Sequence, residues 1–181
     1  DAINEFDAAP ITEKEIQIEA VHYPSKDNLI PVIEAIDEQL ITNCLWETPS
    51  IEAGCLKSNT ERDILKIVVY NRYHKAAPKV AFIKNFGFKH GAIASTVAHD
   101  SHNIIAVGVN DNEIVNAINL VIREKGGISC VKEGVDKVLG LPVAGLMSLE
   151  DPYEVATQYT AIDKMAKTLG SKLGAPFMTL S

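Results

Sequence analysis

The sequence has no run of basic residues, no paired cysteines and no hydrophobic stretch long enough to cross a bilayer. Its charge leans the other way: 17 Lys and Arg against 24 Asp and Glu leave a net charge of −7. Binding to nucleic acid depends on clustered cations that neutralise phosphates, so no nucleic-acid partner is expected. The longest apolar stretch, Val138–Met147, is broken by glycines and by Pro142. It falls well short of the ~20 residues a membrane helix needs, so no membrane partner is expected either. The three cysteines, Cys44, Cys55 and Cys130, are an odd number without a CxxC spacing. That usage suits a reduced, cytoplasmic protein better than a disulfide scaffold.

What remains is a globular composition, 46% hydrophobic and 23% charged over 181 residues, enough to bury a sizeable core. Asp1 in place of an initiator Met, and an end at Phe177–Ser181 that reads as mid-strand, suggest a piece of a longer polypeptide. Residues 1–60 read as a linker and strand-rich segment. The linker covers 1–14, and strands are expected over Glu15–Val21, Leu29–Ile36 and Gln39–Trp46. Pro31 points to a sheet edge or a later start of its strand, and Thr48–Arg62 reads as a polar loop around Gly54. Residues 61–181 form the second unit. Ile64–Tyr70 and Lys79–Lys84 are strongly strand-like, and two further apolar arms, Ala92–Ala98 and Ile104–Gly108, follow.

The period then changes. Asn110 followed by Glu113 is a capping-box-like start for a helix over about Asp111–Lys125, and Gly126-Gly127 ends it. Ile128–Val131 and Val135–Leu139 read as a hairpin. Asp151-Pro152 opens a second helix with an apolar stripe of Val155, Tyr159, Ile162, Ala166 and Leu169, stopped at Gly170. The fold class is α+β, a mixed β-sheet with the two main helices packed on one face.

Common enzyme signatures are missing: GxGxxG, a phosphate loop ending in GK[ST], GxSxG, HExxH and the zinc-site HxE…PCxxC. His22 and His90 stand alone and read as surface or packed histidines, and Cys44 and Cys55 as small buried hydrophobes. Asn71-Arg72-Tyr73-His74 sits where a strand meets a loop, a usual place for ligand groups, though a strand end with a satisfied Arg explains it equally. The densest chemistry is His99, Asp100, Ser101, His102 and Asn103, held between the two apolar arms. A solvated turn accounts for this composition, and so does a functional bend. In a functional bend His99 and His102 converge on one cavity and Asp100 fixes the tautomer of one imidazole.

GFKHGAIASTVAHDSHNIIAVGVND, the preceding ERDILKIVVYNRYHK and the later LPVAGLMS together resemble the C-terminal region of bacterial and archaeal adenine deaminases, of the amidohydrolase superfamily. The resemblance covers residues 61–181 well and 1–60 loosely. It implies that the whole enzyme converts adenine and water to hypoxanthine and ammonia in the cytoplasm. It also implies a manganese- or iron-dependent site in an upstream amidohydrolase barrel, and a homo-oligomer. No HxH at a strand end is present to supply the barrel's metal ligands. By resemblance His99, Asp100 and His102 are therefore the candidate catalytic residues, and Ser101, Asn103, Arg72 and His74 weaker substrate-binding candidates, with no metal ligand assigned. A non-catalytic assembly or ligand-binding module with a structural histidine turn is the competing reading.

Overall fold

A computed structural model describes residues 3–39 and 41–181. Residues 1, 2 and 40, within the expected linker and the strand expected over Gln39–Trp46, lie outside the described residues. The strands are β1 (Ile30–Glu34), β2 (Asn43–Glu47), β3 (Ser50–Glu52), β4 (Cys55–Lys57), β5 (Ile64–Tyr70), β6 (Lys79–Lys84), β7 (Ala92–Ser95), β8 (Ile104–Gly108), β9 (Gly127–Lys132) and β10 (Val135–Gly140). The helices are α1 (Glu13–Ile16), α2 (Asp111–Arg123), α3 (Pro152–Thr168) and α4 (Pro176–Leu180). An eight-stranded sheet runs in the order β10-β9-β7-β8-β5-β6-β1-β2, and β3-β4 forms a separate hairpin. Among the described residues only β1 and β6 pair in parallel, which makes the sheet mixed. The α+β class stands.

The two main helices do not share a face. Ile114, Ala117, Ile118 and Val121 of α2 pack with Val68, Ala92, Ala94, Ala106 and Val131. Ile162, Met165, Ala166 and Leu169, at the C-terminal end of α3, pack with Leu65, Ile67, Ile93, Val107 and Cys130. Successive strand residues point to opposite faces, so these two sets are opposite sides of the same strands. The reason is written in β5, β7, β8 and β9 themselves. Their runs are apolar at consecutive positions rather than at alternate ones, the mark of strands covered on both sides.

Residues 1–60 are woven into this sheet, since β1 and β2 complete it. Pro31 lies in β1 ahead of the pairing with β6, which begins at Ile33, so its missing N–H costs that ladder nothing. The strand expected over Glu15–Val21 is instead α1 followed by a turn of 3-10 helix, Ala20–His22. Thr12 and Glu15 override the alternating pattern: the Glu15 carboxylate accepts from the Thr12 N–H at 2.7 Å, closing the first turn. Ile11 and Ile16 are buried against α2, so the expected linker is a packed strap. The expected loop Thr48–Arg62 contains the β3-β4 hairpin, turned through Ala53 and Gly54, both in the left-handed region. The chain end is the helix α4, begun at Pro176 with Phe177 and Leu180 buried, and not a strand.

Cys130 is buried as a core residue, but Cys44 is exposed on the edge strand β2, against the expectation of a buried side chain. Burial pushes the Cys130 thiol up to about 12. Thiol labelling at neutral pH should therefore modify Cys44 readily and leave Cys130 untouched until the protein unfolds.

One ion pair is enclosed between sheet and helix. Lys66 of β5 is fully buried, and its ammonium donates to the Asp111 carboxylate and to the Ile16 carbonyl at 3.1 Å. Asp111 is the first residue of α2, where a negative charge also meets the positive end of the helix dipole. Burial pushes the Lys66 ammonium below the usual lysine range, against the opposing pull of Asp111. Asp111→Ala should destabilise the fold by about 3–5 kcal/mol, because it strands a buried charge. The variant should gain stability as pH rises toward the usual lysine range, since a lysine of lowered pKa sheds its proton first in the folded state. Adding Lys66→Met should recover most of the loss. Chemical denaturation of the three variants across pH checks this.

Candidate functional site

The residues of interest gather where β5, β7 and β8 end together. β7 and β8 pair as far as Ser95↔Ile105, and β5 and β8 as far as Tyr70↔Ile104. The connection from β7 to β8 therefore stands beside the segment that leaves β5, Asn71–His74. Two left-handed residues, Asp100 (φ 66°) and His102 (φ 47°), fold the connection into a turn. Its closing bonds run from the His102 N–H to the Ala98 carbonyl at 2.7 Å and from the Ser101 N–H to the His99 carbonyl at 2.8 Å. A bend between buried strands is present as expected.

The turn does not bring its two imidazoles together in a cavity. His99 and Asp100 project into solvent, with side chains 84% and 92% exposed, and pair with each other at 3.2 Å. His102 is half-buried, and its Nδ1 is enclosed without a hydrogen-bond partner. Asp100 does partner an imidazole, that of His99, at the surface. The Ser101 side chain is exposed; Asn103 is half-buried, and its Oδ1 accepts from the Arg72 N–H at 3.4 Å.

Arg72 is not placed to hold a substrate. Its side chain is buried and committed to the protein. Nη1 donates to Asn4 Oδ1 at 3.1 Å, and Nη2 donates to the Ala144 carbonyl at 2.7 Å and the Tyr73 hydroxyl at 3.0 Å. Its guanidinium lies 4.5 Å from the Tyr73 ring centroid, within cation–π reach, and Nε has no partner. The Tyr73 hydroxyl donates in turn to the Ser101 carbonyl at 3.2 Å. Arg72 and Tyr73 thus tie the N-terminal strap, the loop after Pro142 and the histidine turn into one network. Asn71 shapes the corner by accepting from the Tyr73 and His74 N–H groups at 2.8 and 3.0 Å, while the His74 side chain is exposed.

Tyr73 enters the sequence analysis only as part of Asn71–His74, and Asn4 and Ala144 are given no site role there, because each matters through Arg72. Among the described residues no group of three or more His, Cys, Asp or Glu could hold a metal ion. The donors of the turn are one exposed pair and one separate imidazole, so a metal centre does not fit here.

The model of the adenine deaminase C-terminal domain matches residues 39–181. The chain belongs to that family. An adenine deaminase of Salinibacter ruber is 44% identical over the whole chain, and the match takes up 32% of that relative. One of Methanosarcina acetivorans is 49% identical over 84% of the chain and 28% of the relative. One of Sulfurovum sp. is 50% identical over 83% of the chain and 27% of the relative. The chain thus spans less than a third of the length of these relatives and corresponds to their C-terminal portion. No helix among the described residues of this adenine deaminase C-terminal domain is long and apolar enough to cross a membrane.

The Arg72 network offers a direct probe of the site's rigidity. Gly145 has φ +70°, and a Cβ there would collide with Arg72 Nη1. Gly145→Ala should cost about 1–3 kcal/mol from backbone strain together with displacement of the guanidinium. Thermal melting would read the loss.

Proposed function

We propose that this domain completes the active site of an enzyme that hydrolyses adenine to hypoxanthine and ammonia. The observation that carries the reading is the match, along the chain, to the C-terminal portions of proteins named adenine deaminases. In this reading the chemistry proper belongs to an upstream amidohydrolase barrel, with manganese or iron held by residues outside this chain. Replacing the amino group at C6 by oxygen requires an activated water, and the departing ammonia requires a proton. The chain's own contribution is the turn. His102 offers its half-buried imidazole there, and Asn103 and Ser101 supply neighbouring polar groups. The exposed His99–Asp100 pair faces whatever covers the turn. A cytoplasmic place in purine metabolism and a homo-oligomeric enzyme accompany the same reading.

The competing module with a purely structural turn draws on the exposure of His99 and Asp100 and on the commitment of Arg72 to the protein, and the family match makes it the weaker account. In the full-length polypeptide, His102→Ala should lower the kcat for ammonia release from adenine by ~10²-fold or more while leaving the melting temperature nearly unchanged. A chelator should stop turnover of the full-length enzyme without altering the melting of the isolated chain, which should release no ammonia by itself. Normal activity in both His99→Ala and His102→Ala variants would leave the turn a structural feature.

A further inference from the structure

The two halves of α3 are treated differently by the fold. Its C-terminal half is buried in the core, but Tyr153, Ala156, Tyr159 and Thr160 in the first half are exposed. That first half borders an apolar cleft of about 580 Å³, closed on its other sides by Phe177 and Met178 of α4 and by Leu146 and Met147 of the preceding loop. Met147 and Met178 are 56% and 70% exposed, so the lining is open to water. Aliphatic and aromatic groups gathered in one open concavity are a usual mark of a docking surface.

Two observations name the occupant. The N-terminal strap arrives at the rim of this cleft: the Ile3 carbonyl accepts from the Ala144 N–H at 2.7 Å, and Leu146 and Met147 follow directly. Ile3 therefore stands beside the cleft. Second, the longer relatives carry more than two-thirds of their length outside the match, and the matched part is their C-terminal domain. We infer that the cleft between α3 and α4 seats an apolar surface of the preceding part of the same polypeptide. Ser95 and Val97, at the end of β7, also line the cleft. A body seated there stands next to the His99–Asn103 turn, so docking would also cover the candidate site. The inference rests on the reading of this chain as the C-terminal portion of a deaminase.

Hydrogen exchange of the full-length polypeptide, compared with the isolated chain, tests it. The amides of residues 153–160 should exchange at least about tenfold more slowly in the full-length protein. Ala156→Asp, an exposed position, should abolish that protection while leaving the melting of the isolated chain nearly unchanged. Equal exchange in both proteins would overturn the inference. So would protection that appears in the isolated chain as its concentration rises, which would mark the cleft as a contact between copies. An ammonia-release assay on the same full-length sample separates the two ideas. Protection without turnover of adenine would keep the seat and refute the deaminase reading; turnover without protection would do the reverse.

Discussion

Burial of β5, β7, β8 and β9 on both faces is the constraint on which the rest of the molecule depends. A strand covered on one side can leave polar residues on the other, whereas these four place side chains in two separate clusters. Each face then requires its own cover. α2 serves one, and α3 with α4 serves the other. Where α2 crosses, the sheet is built from small residues: Ala92, Ala94 and Ala106 face it. A Cβ on Gly108 would lie 2.5 Å from the Ala92 Cβ and 2.7 Å from Ile114 Cγ1, so glycine permits the helix to approach that closely.

The same enclosure makes the polar interior expensive unless it is paired, and it is paired in two quite different ways. Lys66 meets a carboxylate at the start of α2 and a carbonyl from α1, so one charge pins two elements to the sheet. Among the described residues Arg72 has no carboxylate partner. Its Nη atoms meet two neutral oxygens and a phenol and its guanidinium lies over an aromatic face, while Nε has no partner among the described residues. Tyr73, stacked on that guanidinium, donates to the Ser101 carbonyl, so the turn is tied to the Arg72 network while its His99–Asp100 tip stays in water.

The surface tells the complementary story. A domain of this size can close its core on both sides of the sheet, yet it leaves the first half of α3 and the neighbouring cleft uncovered. The N-terminal strap passes from α1 over Tyr70, whose hydroxyl donates to the Ala9 carbonyl at 3.1 Å, and on to Arg72 and Ala144. Its packing links α1, Arg72 and the Ala144 loop, on the side of the sheet end that carries the candidate site.

Local features of the sequence were sufficient for most elements. Ile64–Tyr70 and Lys79–Lys84 are strands over those very residues, and the caps at Asn110 and Asp151 begin helices where they stand. These depend on nearest neighbours in the chain, where periodicity and capping act. A dense polar turn between two buried strands was legible for the same reason. The placement of both main helices on one face was wrong, because an apolar run at every position names no side and the two helices cover opposite faces. The strap at Thr12–Ile16 was misread, because a single capping pair outweighed an alternating pattern. The separation of His99 from His102, and the burial of the Arg72 side chain among protein oxygens, are visible only in the tertiary structure. They follow from backbone conformations at Asp100 and His102 and from partners as distant in sequence as Asn4 and Ala144. Spacing along a chain carries no information about such partners; packing does.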